Sequence, residues 1–163
     1  MGACEMKTIV IALLLSISCN VFAQSVDDGL EAIDRGDYKM AFSIWLPFAE
    51  QGDAVAQNNI GVMYDNGLGV PENNAEAMRW YRLAAEQGLA DAQNNLGIMY
   101  HEGEGITQNY IRAYLWLSVS AALGYEDARS NLDIVRGKLT KSELSQAQEL
   151  ATRCFESNFQ DCE

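Results

Sequence analysis

Shifted by 36 residues, the sequence lays AVAQNNIGVMYDNGLGV, beginning at Ala54, on ADAQNNLGIMYHEGEGI, beginning at Ala90. Further along the same register, Ala77, Trp80, Ala85 and Gly88 meet Ala113, Trp116, Ala121 and Gly124. The register also extends outward. Ala41, Ala49 and Gly52 precede Ala77, Ala85 and Gly88 by the same shift, while Ala128, Asn131 and Leu132 follow Ala92, Asn95 and Leu96. A fixed period of this length marks a repeat array, in which no single unit buries its apolar face alone and neighbours must stack.

Within a unit the apolar residues recur every three or four positions: Ala56, Ile60, Met63 and Tyr64 in one half, Ala77, Trp80, Tyr81 and Ala84 in the other. That spacing is helical. Gly67-Leu68-Gly69-Val70-Pro71 and Gly103-Glu104-Gly105 separate the halves, and Gly52, Gly88 and Gly124 end the second halves. Each unit therefore reads helix, glycine turn, helix, stop. The predicted fold is all-α, a right-handed α-solenoid of antiparallel helix pairs. Gly61 and Gly97 interrupt the first helices at a cost of up to about 1 kcal/mol each relative to alanine. Their recurrence predicts that another helix backbone passes too close for a side chain. Trp45, Trp80, Trp116, Tyr64 and Tyr100 fall on the packing stripe, with Tyr81, Tyr110 and Tyr114 at its flanks.

The Ala-x3-(Leu/Ile)-Gly-x2-Tyr segment, the Gly-x-Gly-(Val/Ile) turn and Ala-x2-Trp-x4-Ala-x2-Gly occur in order and in register. They resemble Sel-one-like repeats, relatives of tetratricopeptide repeats. The resemblance covers roughly Asp28 to Thr152 and implies a partner-binding scaffold whose first helices line an inner groove. It gives this division: 24–53, an N-terminal tetratricopeptide-like pair; 54–89 and 90–125, two Sel-one-like repeats; 126–163, capping helices and tail. In the first pair Ser25-x2-Asp28 reads as a helix cap and Gly36-Asp37-Tyr38 as a tight turn. In the last segment Thr140-x2-Glu143 is a capping box opening a final helix with Leu144, Ala147, Leu150 and Ala151 on one face. Pro47 stands inside the second helix and predicts a bend near its end.

Residues 1–23 have the charged, apolar and small-residue regions of a secretory signal, from Met6-Lys7 through the run Thr8 to Ser18 to Val21-Phe22-Ala23. Export with cleavage near Ala23 is expected, to a bacterial periplasm or the exterior. Cleavage before Cys19 would give a lipid anchor instead, but Ser16-Ile17-Ser18 matches a lipoprotein box poorly. The apolar run is shorter than the roughly 20 residues that span a bilayer, so no membrane segment is expected in the mature chain. In an oxidising compartment Cys154 and Cys162 read as a disulfide, worth at most about 2.5 kcal/mol for so short a loop; two free thiols are the alternative. The net charge of -12 disfavours nucleic acid and anionic lipid surfaces as partners.

No catalytic residue, metal site or cofactor is expected. His101 is the only histidine, beside Glu102 and Glu104, and reads as part of a solvated turn. There is no Gly-x-Ser-x-Gly elbow and no Ser-x2-Lys pair. The alternative function is a penicillin-binding or cell-wall-active hydrolase, after cysteine-rich relatives of the Sel-one-like family. Those carry a Cys-x7-Cys staple in each helix pair, whereas here it occurs once, after the last helix. The candidate partner-binding residues are Asn58, Asn59, Asp65, Asn94, Asn95 and Asn131. Asparagine can bond a peptide backbone through both donor and acceptor, or it can tie down adjacent loops. Segments 54–66 and 90–102 hold no lysine or arginine, so a basic or neutral extended protein or envelope partner is expected in preference to an acidic one.

Overall fold

The computed structural model describes residues 25–162. The expected leader and its cleavage site lie outside the described residues. Among the described residues eight helices and no strand are found: α1 (Val26–Asp34), α2 (Tyr38–Glu50), α3 (Ala54–Asn66), α4 (Asn74–Ala85), α5 (Ala90–Glu102), α6 (Tyr110–Ala122), α7 (Glu126–Arg136) and α8 (Lys141–Glu156). From α1 to α7 each helix packs on the next. The last helix breaks the sequence and packs on α6. It does so through Ala147, Ala151 and Cys154, which are buried, with Leu144 and Leu150 beside them.

Helix starts follow side chains that accept from the first-turn amides. Asp37 accepts from Met40 N at 3.1 Å, Asp53 from Ala56 N at 2.8 Å, Asn73 from Glu76 N at 3.2 Å and Asn109 from Arg112 N at 3.0 Å. The box at Thr140 and Glu143 is formed, and Ser25 N donates to Asp28 Oδ2 at 2.7 Å. Pro47 lies within α2, which continues to Glu50.

The nearest neighbours of the in-helix glycines are side chains, and the approaching backbone that was expected is found only at Gly97, where Ala113 O would stand 3.3 Å from an added Cβ. A Cβ on Gly61 would stand 2.6 Å from the Tyr81 ring, and one on Gly97 would stand 2.7 Å from Leu117 Cγ. Tyr81 and Leu117 occupy the same position of successive second helices, so the glycine is the socket and the second-helix side chain is the knob. The first pair repeats the arrangement: the Trp45 indole fills the space a side chain on Gly29 would need. Gly29 precedes Gly61 by 32 residues because the turn of the first pair is four residues shorter. Tyr81 and Tyr114, placed at the flanks of the stripe by the sequence, are core residues at 1% and 4% exposure, and Tyr110 is partly buried.

The turn glycines mesh one unit with the one before. At Gly69 (φ 74°) an added Cβ would meet the Tyr38 backbone at 2.6 Å, and at Gly105 (φ 68°) it would meet the Asn74 backbone at 2.7 Å. Each turn thus rests on the start of the preceding second helix, in a conformation and a space that exclude a side chain.

Buried amides join units at the other end. Gln57 Nε2 donates to Ala49 O and Gln93 Nε2 to Ala85 O, both at 3.1 Å, so each first helix caps a carbonyl near the end of the second helix before it. The tail after α8 folds back over the stack. Cys154 and Cys162 form a disulfide, Phe159 packs against Gly88, and Gln160 Nε2 donates to Glu86 O at 3.3 Å.

Candidate partner-binding groove

The first helices α1, α3, α5 and α7 carry the same register across the stack, so equivalent residues form rows. The lowest row is amide. Asn95 Nδ2 donates to Asn58 Oδ1 at 3.1 Å, and Asn131 Nδ2 donates to Asn94 Oδ1 at 3.0 Å. The bonded partners are 37 residues apart, one more than the repeat, because each amide reaches the neighbour of its own counterpart. Four of the six candidate residues are thereby committed to holding first helices together. Asn94 is 4% exposed and faces the stack, whereas Asn58, Asn95 and Asn131 keep part of their surface. Asn59 is likewise partly exposed and lies outside these bonds.

One helical turn above runs an aliphatic row, the residue after each socket glycine and its counterpart in α7: Leu30, Val62, Ile98 and Ile134. Leu30 and Ile134 are 51% and 53% exposed, while Val62 and Ile98 between them are partly buried. Between α5 and α7 the row dips into a cavity of about 180 Å³ lined by Ile98, His101, Glu102, Leu117, Asn131 and Ile134. The sequence contained this row but did not single it out, because a helical apolar residue is by default assigned to the core.

Above these rows the groove edge is acidic, through carboxylates at positions that are not equivalent between units. Asp65 accepts the Tyr81 hydroxyl at 3.2 Å. Burial pushes the Asp65 carboxyl above the ordinary carboxylate range, the Tyr81 hydrogen bond pulls it back in part, and the nearby charges of Glu102 and Glu72 raise it further. Tyr81 is held well above the usual phenol range by burial and then by the Asp65 charge. Glu104 is raised too, by desolvation and then by Glu102, Asp65 and Glu72. These four carboxylates, contributed by two first helices and two glycine turns, form one field of negative potential at the groove edge.

His101 belongs to the last turn of α5, where the sequence suggested a solvated turn. Its ring is partly buried and packs on Tyr110 with centroids 5.6 Å apart. Among the described residues no group of three or more His, Cys, Asp or Glu side chains is arranged to hold a metal ion, and no helix is long and apolar enough to cross a membrane. A separate cleft of about 300 Å³ lies between α6 and α8, lined by Ser118, Val119, Ala122, Ala151, Thr152 and Phe155.

The Sel1 repeat family profile matches residues 54–89 and 90–125. Over 61 residues the chain is 41% identical to an F-box protein of Arabidopsis thaliana, covering 37% of this chain and 16% of that one. Among solved structures, a protective antigen present in uropathogenic Escherichia coli strains and displaying an SLR fold is 29% identical. It superposes with a TM-score of 0.78 over 82% of this chain and 30% of its own. A Sel1 repeat protein from Oxalobacter formigenes is 35% identical with a TM-score of 0.65, over 75% of this chain and 53% of its own. The chain therefore spans about half the length, or less, of each of these proteins. Two profile-matched units in unbroken register, inside a helical stack shared with solved structures of the same repeat, show that this chain carries two Sel1 repeats in an all-α repeat fold.

Proposed function

We propose that the chain is an exported scaffold that holds a protein segment or an envelope component in the groove of its first helices. Sel1 repeat proteins generally mediate protein–protein interaction. The observation that carries the finer reading is the aliphatic row Leu30, Val62, Ile98 and Ile134, which runs in one register across four units beneath an acidic rim, exposed at its two ends and partly buried between them. Its two ends leave large aliphatic side chains in water, and a ligand along the row would cover them. The helices are ordered before the ligand arrives, so association loses little conformational entropy on the protein side. Support for export comes from the Cys154–Cys162 disulfide, which persists in oxidising compartments, and from likeness to a protective antigen.

Crosslinking pull-down from a bacterial envelope fraction tests the reading, with Ile134→Gln as the control. Ile134 is exposed, so the stack should stay folded, and the partner recovered by the native chain should be lost from the variant. Equal recovery by both would remove the groove from the account. The competing hydrolase reading is tested by incubation with a chromogenic lactam. No turnover is expected, and turnover abolished by a single substitution would overturn the scaffold reading.

A further inference from the structure

The repeat makes α4 and α6 equivalent, yet only α6 carries an extra helix on its outer side. α8 lies along α6 in the same direction: Gln146 and Leu150 meet its first half, Ala151 and Phe155 its second. The α6 residues facing α8 are Ile111, Arg112, Leu115, Ser118, Val119 and Ala122, of which Leu115 and Val119 are fully covered. Shifted back by 36 residues, the same positions are Ala75, Glu76, Arg79, Arg82, Leu83 and Glu86, along α4 and at its end. Among the described residues the helices packed on α4 are α3 and α5, and neither takes this face. Leu83, the counterpart of Val119, is 37% exposed. Two open clefts flank the ridge of Arg79 and Leu83, one of about 480 Å³ beside Ala75, Met78 and Arg82, the other of about 420 Å³ beside Ala49, Gln57 and Trp80. The face that α6 buries under α8 is therefore left open on α4.

The charges on the open face are held in place and follow an order. Arg79 pairs with Glu76 at 3.1 Å and lies over the Trp80 ring at 4.1 Å, and Arg82 donates to the Tyr100 hydroxyl at 2.8 Å. Along the face the sequence of signs is acid, base, base, acid: Glu76, Arg79, Arg82, Glu86. A second copy laid on it in register through its own α4 would set like charge against like in either direction, which is destabilising. The complementary order is base, acid, acid, base. The backbone that fits is shown by α8, a helix whose buried contact residues include the small Ala147 and Ala151.

We propose that the outer face of α4 docks a helix of a partner protein, seated as α8 is seated on α6. Its contact stripe is alanine-sized, with two carboxylates in the middle for Arg79 and Arg82 and a lysine or arginine towards each end for Glu76 and Glu86. This surface belongs to a second helix of the stack and is independent of the groove formed by the first helices.

Fluorescence anisotropy with two labelled, alanine-rich peptides of about 18 residues, long enough to be helical, tests it. The first carries lysine, glutamate, glutamate and lysine at the spacing of Glu76, Arg79, Arg82 and Glu86; the second exchanges lysine and glutamate. The native chain should bind the first about tenfold tighter than the second, and the margin should shrink as salt is raised. Arg79→Glu should remove the margin, and Leu83→Gln should weaken the first peptide about fivefold. Both residues are exposed, so the stack should stay folded in either variant, as circular dichroism would verify. Equal binding of the two peptides by the native chain, binding that ignores both substitutions, or no binding at millimolar concentration would each overturn the proposal. Self-association of the free chain that Leu83→Gln abolishes would assign the face to a second copy and overturn it as well.

Discussion

Gln57 and Gln93 occupy the same position of successive repeats, yet replacing each by methionine should have unequal effects, and the structure shows why. Both donate through Nε2 to a carbonyl of the preceding second helix. At Gln57 the Oε1 also accepts from Gln87 Nε2 at 2.7 Å. At Gln93 the corresponding acceptor is buried without a donor, because the residue 36 after Gln87 is Leu123, which has no N–H to offer from its side chain. The two main-chain carbonyls remain bonded in either variant, since Ala49 O also accepts from Gly52 N and Ala85 O from Gly88 N. Gln57→Met therefore removes two hydrogen bonds at about 0.5–1.5 kcal/mol each, a loss of about 1–3 kcal/mol. Gln93→Met removes one such bond and also removes an unpaired buried oxygen, whose burial costs about 1–3 kcal/mol, so its net effect should lie between neutral and stabilising. Thermal melts followed by circular dichroism would read the difference, at roughly 3–5 °C per kcal/mol for a chain of this size. Gln93 is 0% exposed and Gln57 4%, so reasoning from burial alone predicts the larger loss at Gln93. A lower melting temperature for Gln93→Met than for Gln57→Met would refute the hydrogen-bond argument.

Three further outcomes follow from the packing and electrostatics. Gly61→Ala should destabilise by about 1–3 kcal/mol in urea titration despite the better helix propensity of alanine, because the new Cβ collides with the Tyr81 ring; an unchanged or raised midpoint would show that the ring yields freely. Reducing the Cys154–Cys162 disulfide should lower stability by at most about 2.5 kcal/mol, the limit for a loop this short, as read from melts with and without reductant, while the far-ultraviolet spectrum of the stack persists. Folding raises the Asp65 pKa, so the native state holds that proton more tightly than the unfolded chain. The associated stability is fully present at acidic pH and is lost as pH rises through the raised carboxylate range. Asp65→Asn should accordingly raise the melting temperature at about pH 7 and lose that advantage well below the carboxylate range; an advantage that grows on acidification would reverse the assigned sign.

The 36-residue shift, the helical spacing and the glycine turns made the helix pairs and their order legible in the residues alone, because each is a local or strictly periodic property of the chain. The pairing of Cys154 with Cys162 was also within reach of sequence, since two cysteines so close have few alternatives. What lies opposite each repeated residue was not. Gly61 was expected to admit a backbone and instead receives the Tyr81 ring; Tyr81 was assigned to the flank and is core; α8 returns to α6 where a regular array would continue outward. The asparagine ladder shows the distinction most directly. Sequence aligns Asn59, Asn95 and Asn131 at the repeat interval, but the bonds join Asn58 to Asn95 and Asn94 to Asn131. The repeat interval states which residues are equivalent, whereas contact depends on the offset at which one helix lies against the next, and that offset is set by packing across the whole stack.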